Sequence, residues 1–207
     1  WWLRDAVANA DFIVAKRGGI DPGDAGYHLN LTGSFKLILE ISDGTDEYIL
    51  GTAADSALFG ATSTEWHHFS VVWDDAAEAG TLIYIDGQED TTIDKIGCWS
   101  CINDVSNAFD FVIGDISVDA GALFTEFDGR LDDIRIYNRA LSPAEVKRLY
   151  ELGATTKIAT TITTNPDLES GLVGHWTFDG SSITTNQILD RSGGGNHGGF
   201  IGGATTS

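Results

Sequence analysis

Basic residues are scarce in this chain, and the scarcity bounds its chemistry first. Its 207 residues carry 12 Lys and Arg against 31 Asp and Glu, a formal charge of −19. Phosphate contacts need a basic surface, so this balance argues against nucleic-acid partners. The acid surplus suits divalent cations or a saline exterior, or is simply a solvated face. Methionine is absent and proline occurs only 3 times. No apolar run is long enough to span a bilayer as a helix, so membrane insertion is not expected. No secretory leader is legible, and a processed chain would have shed one. Cysteine is limited to 2 residues, Cys98 and Cys101 in IGCWSCIN. A zinc site needs about four ligands, and no His or further Cys lies nearby. A thioredoxin-like pair would stand between a strand and a helix start, whereas Gly, Asp and Asn surround this one. The pair reads as a local disulfide pinning a loop, which implies an oxidising compartment, with two free thiols as the alternative.

Glycine, in contrast, is abundant at 25 residues. Gly-rich turns between short apolar runs indicate an all-β fold. YHLNL-TGS-FKLILEI (residues 27–41) reads as a hairpin. WHHFSVVW (residues 66–73) is a strand, and LIYI (residues 82–85) runs into Asp86-Gly87, the clearest two-residue hairpin turn. Residues 109–113 and 130–137 read as further strands. SPAEVKRLYELG then supplies a helix. Ser142 caps it, Pro143 takes its first position, Glu145 completes a capping box and Gly153 stops it. Residues 154–170 read as a Thr-rich linker in which KIATTIT can form an edge strand. Apolar alternation returns at residues 172–178.

EWHHFSVVWD, TLIYIDGQ and FDGRLDDIRIYNRALSPAEVKRLYELG together resemble the second half of a laminin G-like, concanavalin A-like jelly roll of the bacterial secreted type. Residues 171–198, with WTFDG and GGGNHG, resemble that family's opening strands. The resemblance implies an all-β, two-sheet antiparallel jelly-roll sandwich with one short C-terminal helix. It also implies an inverted order, because WWLRDA at the start resembles a strand that normally follows the opening pair. The expected organisation is a sandwich lacking its opening strands over residues 1–153, a linker over 154–170, and opening strands over 171–207. An unpaired edge must be filled by the chain's own tail, a neighbour's tail or upstream residues. If the tail supplies the strand, Leu172, Trp176 and Phe178 carry the joint, and a tail given to a neighbour makes a head-to-tail filament.

Catalysis has weaker support. Glycosidases of this broad fold place carboxylates at alternate positions along one strand. Glu126-Phe127-Asp128 begins such a pattern, but the next position is Arg130. Calcium is the better expectation. Asp132 shares parity with Ile134 and Ile136, so its carboxylate points inward at a strand start, where it requires a partner. The resemblance brings Asp179 near it, and the turn containing Asn196 adds oxygen ligands. His67 and His68 point to opposite faces and cannot share a metal. Trp66, Trp73 and Trp176 fall at core spacing. Trp99, on the disulfide loop, either stacks on a sugar or partner or covers a core edge. Asn30-Leu31-Thr32 is a glycosylation sequon.

The function these features imply is a non-enzymatic extracellular or cell-surface module for structure or adhesion. Its expected partners are copies of itself or adjacent repeats. The competing readings are a glycan-binding module of a larger secreted protein and, less favoured, a glycoside hydrolase.

Overall fold

Two antiparallel sheets face each other across an aliphatic core in the computed structural model. It describes residues 2–4, 11–18, 23–32, 36–52, 66–74, 76–115, 127–155 and 166–200. One sheet comprises β1 (Trp2–Arg4), β6 (His67–Val72), β7 (Leu82–Ile85), β8 (Gln88–Glu89) and β11 (Arg130–Asp132), in the order β11-β1-β6-β7-β8. The other comprises β2 (Asp11–Lys16), β3 (Gly26–Leu31), β4 (Leu37–Ser42), β5 (Glu47–Gly51), β9 (Asp94–Gly97) and β10 (Val112–Ile113), in the order β10-β2-β3-β4-β5-β9. Two further ladders pair β12 (Ile134–Tyr137) with β13 (Leu172–Trp176), and β14 (Gln187–Ile188) with β15 (Gly198–Gly199).

Alternation along the strands builds the core. Leu29, Leu31, Leu37, Leu39, Ile41 and Leu50 from one sheet meet Phe69, Ile83 and Ile85 from the other, all buried. The hairpin expected over residues 27–41 forms, with Leu31 opposite Leu37. Asp86 and Gly87 join β7 to β8 with φ of 50° and 74°. Positive φ at both central residues matches the right-handed strand twist, and Asp-Gly tolerates it.

The helix α1 (Pro143–Thr155) lies on the outer face of the β6–β7 pair, where Val146 packs with Val72 and Tyr84. Its capping box is reciprocal. Ser142 N–H donates to Glu145 Oε2 at 2.8 Å, and Glu145 N–H donates to Ser142 Oγ at 3.4 Å. The helix runs two residues past Gly153, which therefore does not end it. A second correction concerns the linker. Residues 166–169 form a short helix, α2 (Pro166–Glu169), whose Leu168 is buried. Pro at the first position and acid in the first turn explain it. The possible strand KIATTIT lies outside the described residues. The strand expected over residues 130–137 is split in two at Asp133, whose φ is 51°.

Candidate functional site

The closing strand β12 carries the site, because the tail strand β13 pairs with it antiparallel inside the same chain. Ile134 stands opposite Trp176, Arg135 opposite His175, Ile136 opposite Gly174, and Tyr137 opposite Leu172. Of the three residues expected to carry a strand joint, Trp176 does most. Its side chain is buried, and its ring stacks on Phe111 with centroids 5.7 Å apart. The ring also lies over Gly174, where an added Cβ would meet it at 2.3 Å. Trp176 Nε1–H donates to the Asn196 carbonyl at 2.9 Å. Leu172 is half-buried at the end of the ladder, and Phe178 is half-buried just past it with φ of 53°.

Polar contacts fasten both ends of the joint. At one end, Asp133 Oδ1 lies 2.6 Å from His175 Nε2 and accepts from Arg135 Nε and Nη2 at 3.2 and 3.1 Å. Burial disfavours the Asp133 anion, yet the His175 hydrogen bond and the Arg135 charge hold its carboxyl well below the usual range. At the other end, Arg139 ties three segments together. Its guanidinium donates to Glu145 of α1, to the Ser170 carbonyl at 2.8 Å and to the Asp167 carbonyl at 2.9 Å. Asn138 N–H donates to the Gly171 carbonyl at 2.9 Å.

The far side of β13 is covered as well. The Asp190 carboxylate accepts from the backbone amides of His175, Ser192 and Asn196, and from Ser192 Oγ. Arg191 N–H donates to the His175 carbonyl. The Val173 carbonyl accepts from Ser192 Oγ and Asn196 Nδ2. The DRSGGGNHG segment is thus a carboxylate-centred turn that closes the outer edge of the tail strand.

The residues expected to hold calcium come together only in part. Asp132 is half-buried, and burial raises its pKa, with Asp133 and Asp179 adding like-charge repulsion. Asp132 and Asp179 are therefore electrostatic neighbours. Asn196 belongs to the Asp190 turn, where its side-chain amide is engaged by Val173. Among the described residues, no three His, Cys, Asp or Glu side chains gather in a metal-binding cluster. Cys98 and Cys101 are disulfide-bonded. Trp99 packs against the inter-sheet core with its ring 6.1 Å from that of Trp73, so it covers a core edge. His68 is buried, while His67 is half-buried and lies 2.9 Å from Asp86. Glu126 lies outside the described residues. Asp128 and Arg130 are exposed beside the start of β11.

Asp133, Arg135, Arg139, His175 and Asp190 escaped sequence reasoning, because their contacts join distant segments. One signal was available for Asp190: an acid shortly before a Gly-rich run favours a local turn.

Comparison with known families gives a match to the concanavalin A-like lectin/glucanases superfamily model, Laminin_G_3, over residues 1–147. The chain belongs to this family. Neither the curated proteins nor the solved structures contain a match. The family match takes in both sheets of the sandwich, and β13 lies beyond its end. Laminin_G_3 gathers lectins and glucanases, so membership is compatible with carbohydrate binding or adhesion. Among the described residues, no helix is long and apolar enough to cross a membrane.

Proposed function

We propose that this chain is a non-enzymatic, extracellular structural or adhesion module whose tail strand is both its own closing element and its means of joining copies in series. The observation that carries the reading is the β12–β13 ladder, made by a segment that follows both helices in the chain. Closed within one chain, the ladder completes a single module. Exchanged between chains, the same contacts link one copy to the next. Such swapping introduces no new interface chemistry, because each contact already exists in the closed form. The capped outer edge of β13 favours this exchange over open-ended strand addition.

The acid surplus and the Cys98–Cys101 disulfide support an extracellular setting. The absence of a second strand carboxylate at Arg130 supports a non-catalytic role. A calcium ion between Asp132 and Asp179 would relieve their mutual repulsion next to the joint.

Light scattering after refolding at rising protein concentration tests the assembly. Monomer at high dilution and a series of multiples at high concentration are expected. Monomer alone at every concentration would reject joining in series. Release of sugar from a β-glucan would reject the non-enzymatic reading. Sub-millimolar binding on a glycan array, with no multiples, would favour the lectin-like alternative.

A further inference from the structure

The loop that carries the two cysteines is held at both ends by contacts that do not involve sulfur. On its amino side β9 pairs with β5, with Gly97 opposite Tyr48. Gly97 approaches β5 so closely that an added Cβ would meet the Glu47 carbonyl oxygen at 2.1 Å, and its φ is 99°. On its carboxyl side, the Asn103 backbone N–H and Nδ2 both donate to Asp43 Oδ2 at 3.2 Å, in the turn between β4 and β5. Residues 98–102 therefore bridge two points fixed on the same pair of strands. Within them Cys98 and Cys101 are disulfide-bonded across a single turn. There Cys101 N–H donates to the Cys98 carbonyl at 3.1 Å, and Ile102 N–H donates to the Trp99 carbonyl at 3.3 Å.

Trp99 is the side chain that this turn sets against the sandwich. It packs on the inter-sheet core with its ring 6.1 Å from that of Trp73, which in turn meets Tyr48 edge to face at 5.7 Å. The Trp99 indole Nε1–H is buried and has no acceptor. A buried tryptophan ordinarily finds a partner for that donor, and an unpaired one loses its hydration without return. Trp176 shows the usual arrangement, donating to the Asn196 carbonyl. The apolar rings favour the seat that Trp99 takes, and its N–H opposes it. A covalent turn that restricts residues 98–101 tips that balance towards burial.

The bond itself is open to exchange. Cys98 and Cys101 are only half-buried, and Ser100 between them is exposed. Exposed disulfides are the labile ones. Closing so short a loop constrains the unfolded chain little, because that effect grows with the logarithm of loop length. The anchored ends of the loop keep the two thiols close after reduction.

We propose that Cys98–Cys101 is a redox site, reduced reversibly by a dithiol, that clamps Trp99 over the core edge when oxidised and lets its indole out to water when reduced. A thiolate of the dithiol attacks one cysteine sulfur and breaks the protein S–S bond, giving a mixed disulfide and a protein thiolate. The second thiol of the reagent then displaces the other cysteine sulfur. The protein gains two electrons and two protons as a pair of thiols, and the dithiol leaves as its cyclic disulfide. None of these contacts involves β12 or β13, so failure of the clamp and failure of the assembly are separate results.

Dithiothreitol applied to the full chain without denaturant tests the site. The chain has no other cysteine, so the mass added by alkylation reports this pair alone. Reduction is expected to proceed with the cooperative unfolding transition retained, and the bond is expected to re-form on oxidation. Amide exchange at Cys101 and Ile102 should quicken at least about tenfold, while exchange within β5 is unchanged. Trp99 emission, taken as the difference between the unaltered chain and Trp99→Phe, should move to longer wavelength. The double variant Cys98→Ser, Cys101→Ser should show the faster exchange without dithiothreitol. Reduction only after unfolding in denaturant, or loss of the cooperative transition on reduction, overturns the redox site. Reduction that leaves Trp99 emission, or exchange at residues 101 and 102, unchanged overturns the clamp.

Discussion

Trp176 in the tail lies directly opposite Ile134 in the closing strand, and both side chains are buried. They are 42 residues apart in sequence (176 − 134) and belong to segments separated by two helices. Their pairing makes the tail a part of the sandwich rather than an appendage.

Truncating that tryptophan measures what the tail contributes. Trp176→Ala removes the stack on Phe111 and leaves a cavity beside Ile134. A loss of about 3–5 kcal/mol is expected in urea unfolding. Gly174→Ala tests the same packing from the other direction, because the new methyl meets the indole. It should destabilise by about 1–3 kcal/mol.

Arg139 offers a polar counterpart. Its guanidinium joins the strand end, α1 and the start of the tail through Glu145, Asp167 and Ser170. Arg139→Lys keeps the charge but not the planar fork, so it should retain little of the function. A drop of about 1–2 kcal/mol is expected from either Arg139→Lys or Arg139→Ala, measured by thermal unfolding at fixed salt.

Acid should destabilise the protein from just below neutral pH. Burial pushes the His68 imidazole down to about 2, and burial with the Arg17 charge pushes His28 down to about 3. Each histidine is neutral when folded and binds a proton more readily when unfolded. Stability is therefore lost as pH falls through the unfolded value near 6.5, by about 2 kcal/mol per histidine at pH 5. Glu40 acts oppositely. Burial and its hydrogen bond to Glu47 push its carboxyl up to about 7, so its contribution grows as pH falls from about 7 to 4.5. His68→Gln should flatten the loss between pH 6.5 and 5, read as the urea midpoint across pH. An unchanged slope would show that His68 is not buried neutral.

Calcium should raise Tm in the millimolar range, and a chelator should reverse the rise. Asp132→Asn should abolish the response while itself relieving repulsion with Asp179. A melting temperature indifferent to calcium would remove the cation from the account.

Local chemistry was legible in the sequence, and long-range geometry was not. Asp86-Gly87 announced a turn that requires positive φ, and Ser142 with Glu145 announced a helix start; both form. The laminin G-like jelly roll was readable from strand order and the closing helix, and the family match supports it. The break in the closing strand was hidden, because Asp133 adopts positive φ without being glycine and is held there by partners on two strands. The short helix α2 was concealed by its Thr-rich approach, although Pro166 and Asp167 are good first-turn residues. Parity aimed Asp132 inward, and it is half-buried, but the carboxylate that engages the tail is its neighbour Asp133. Alternation marked Trp176 as core, yet only the ladder reveals which strand it faces.

Cross-linking β12 to β13 tests the central claim most directly. Tyr137 and Leu172 stand opposite each other, so Tyr137→Cys with Leu172→Cys places two thiols within disulfide reach. After oxidation, the protein refolded at high dilution should carry the bridge within one chain. Refolded at high concentration, it should give a ladder of bridged multiples on a non-reducing gel. Failure of the pair to bridge under either condition would contradict the account, because β13 would then not be the partner of β12.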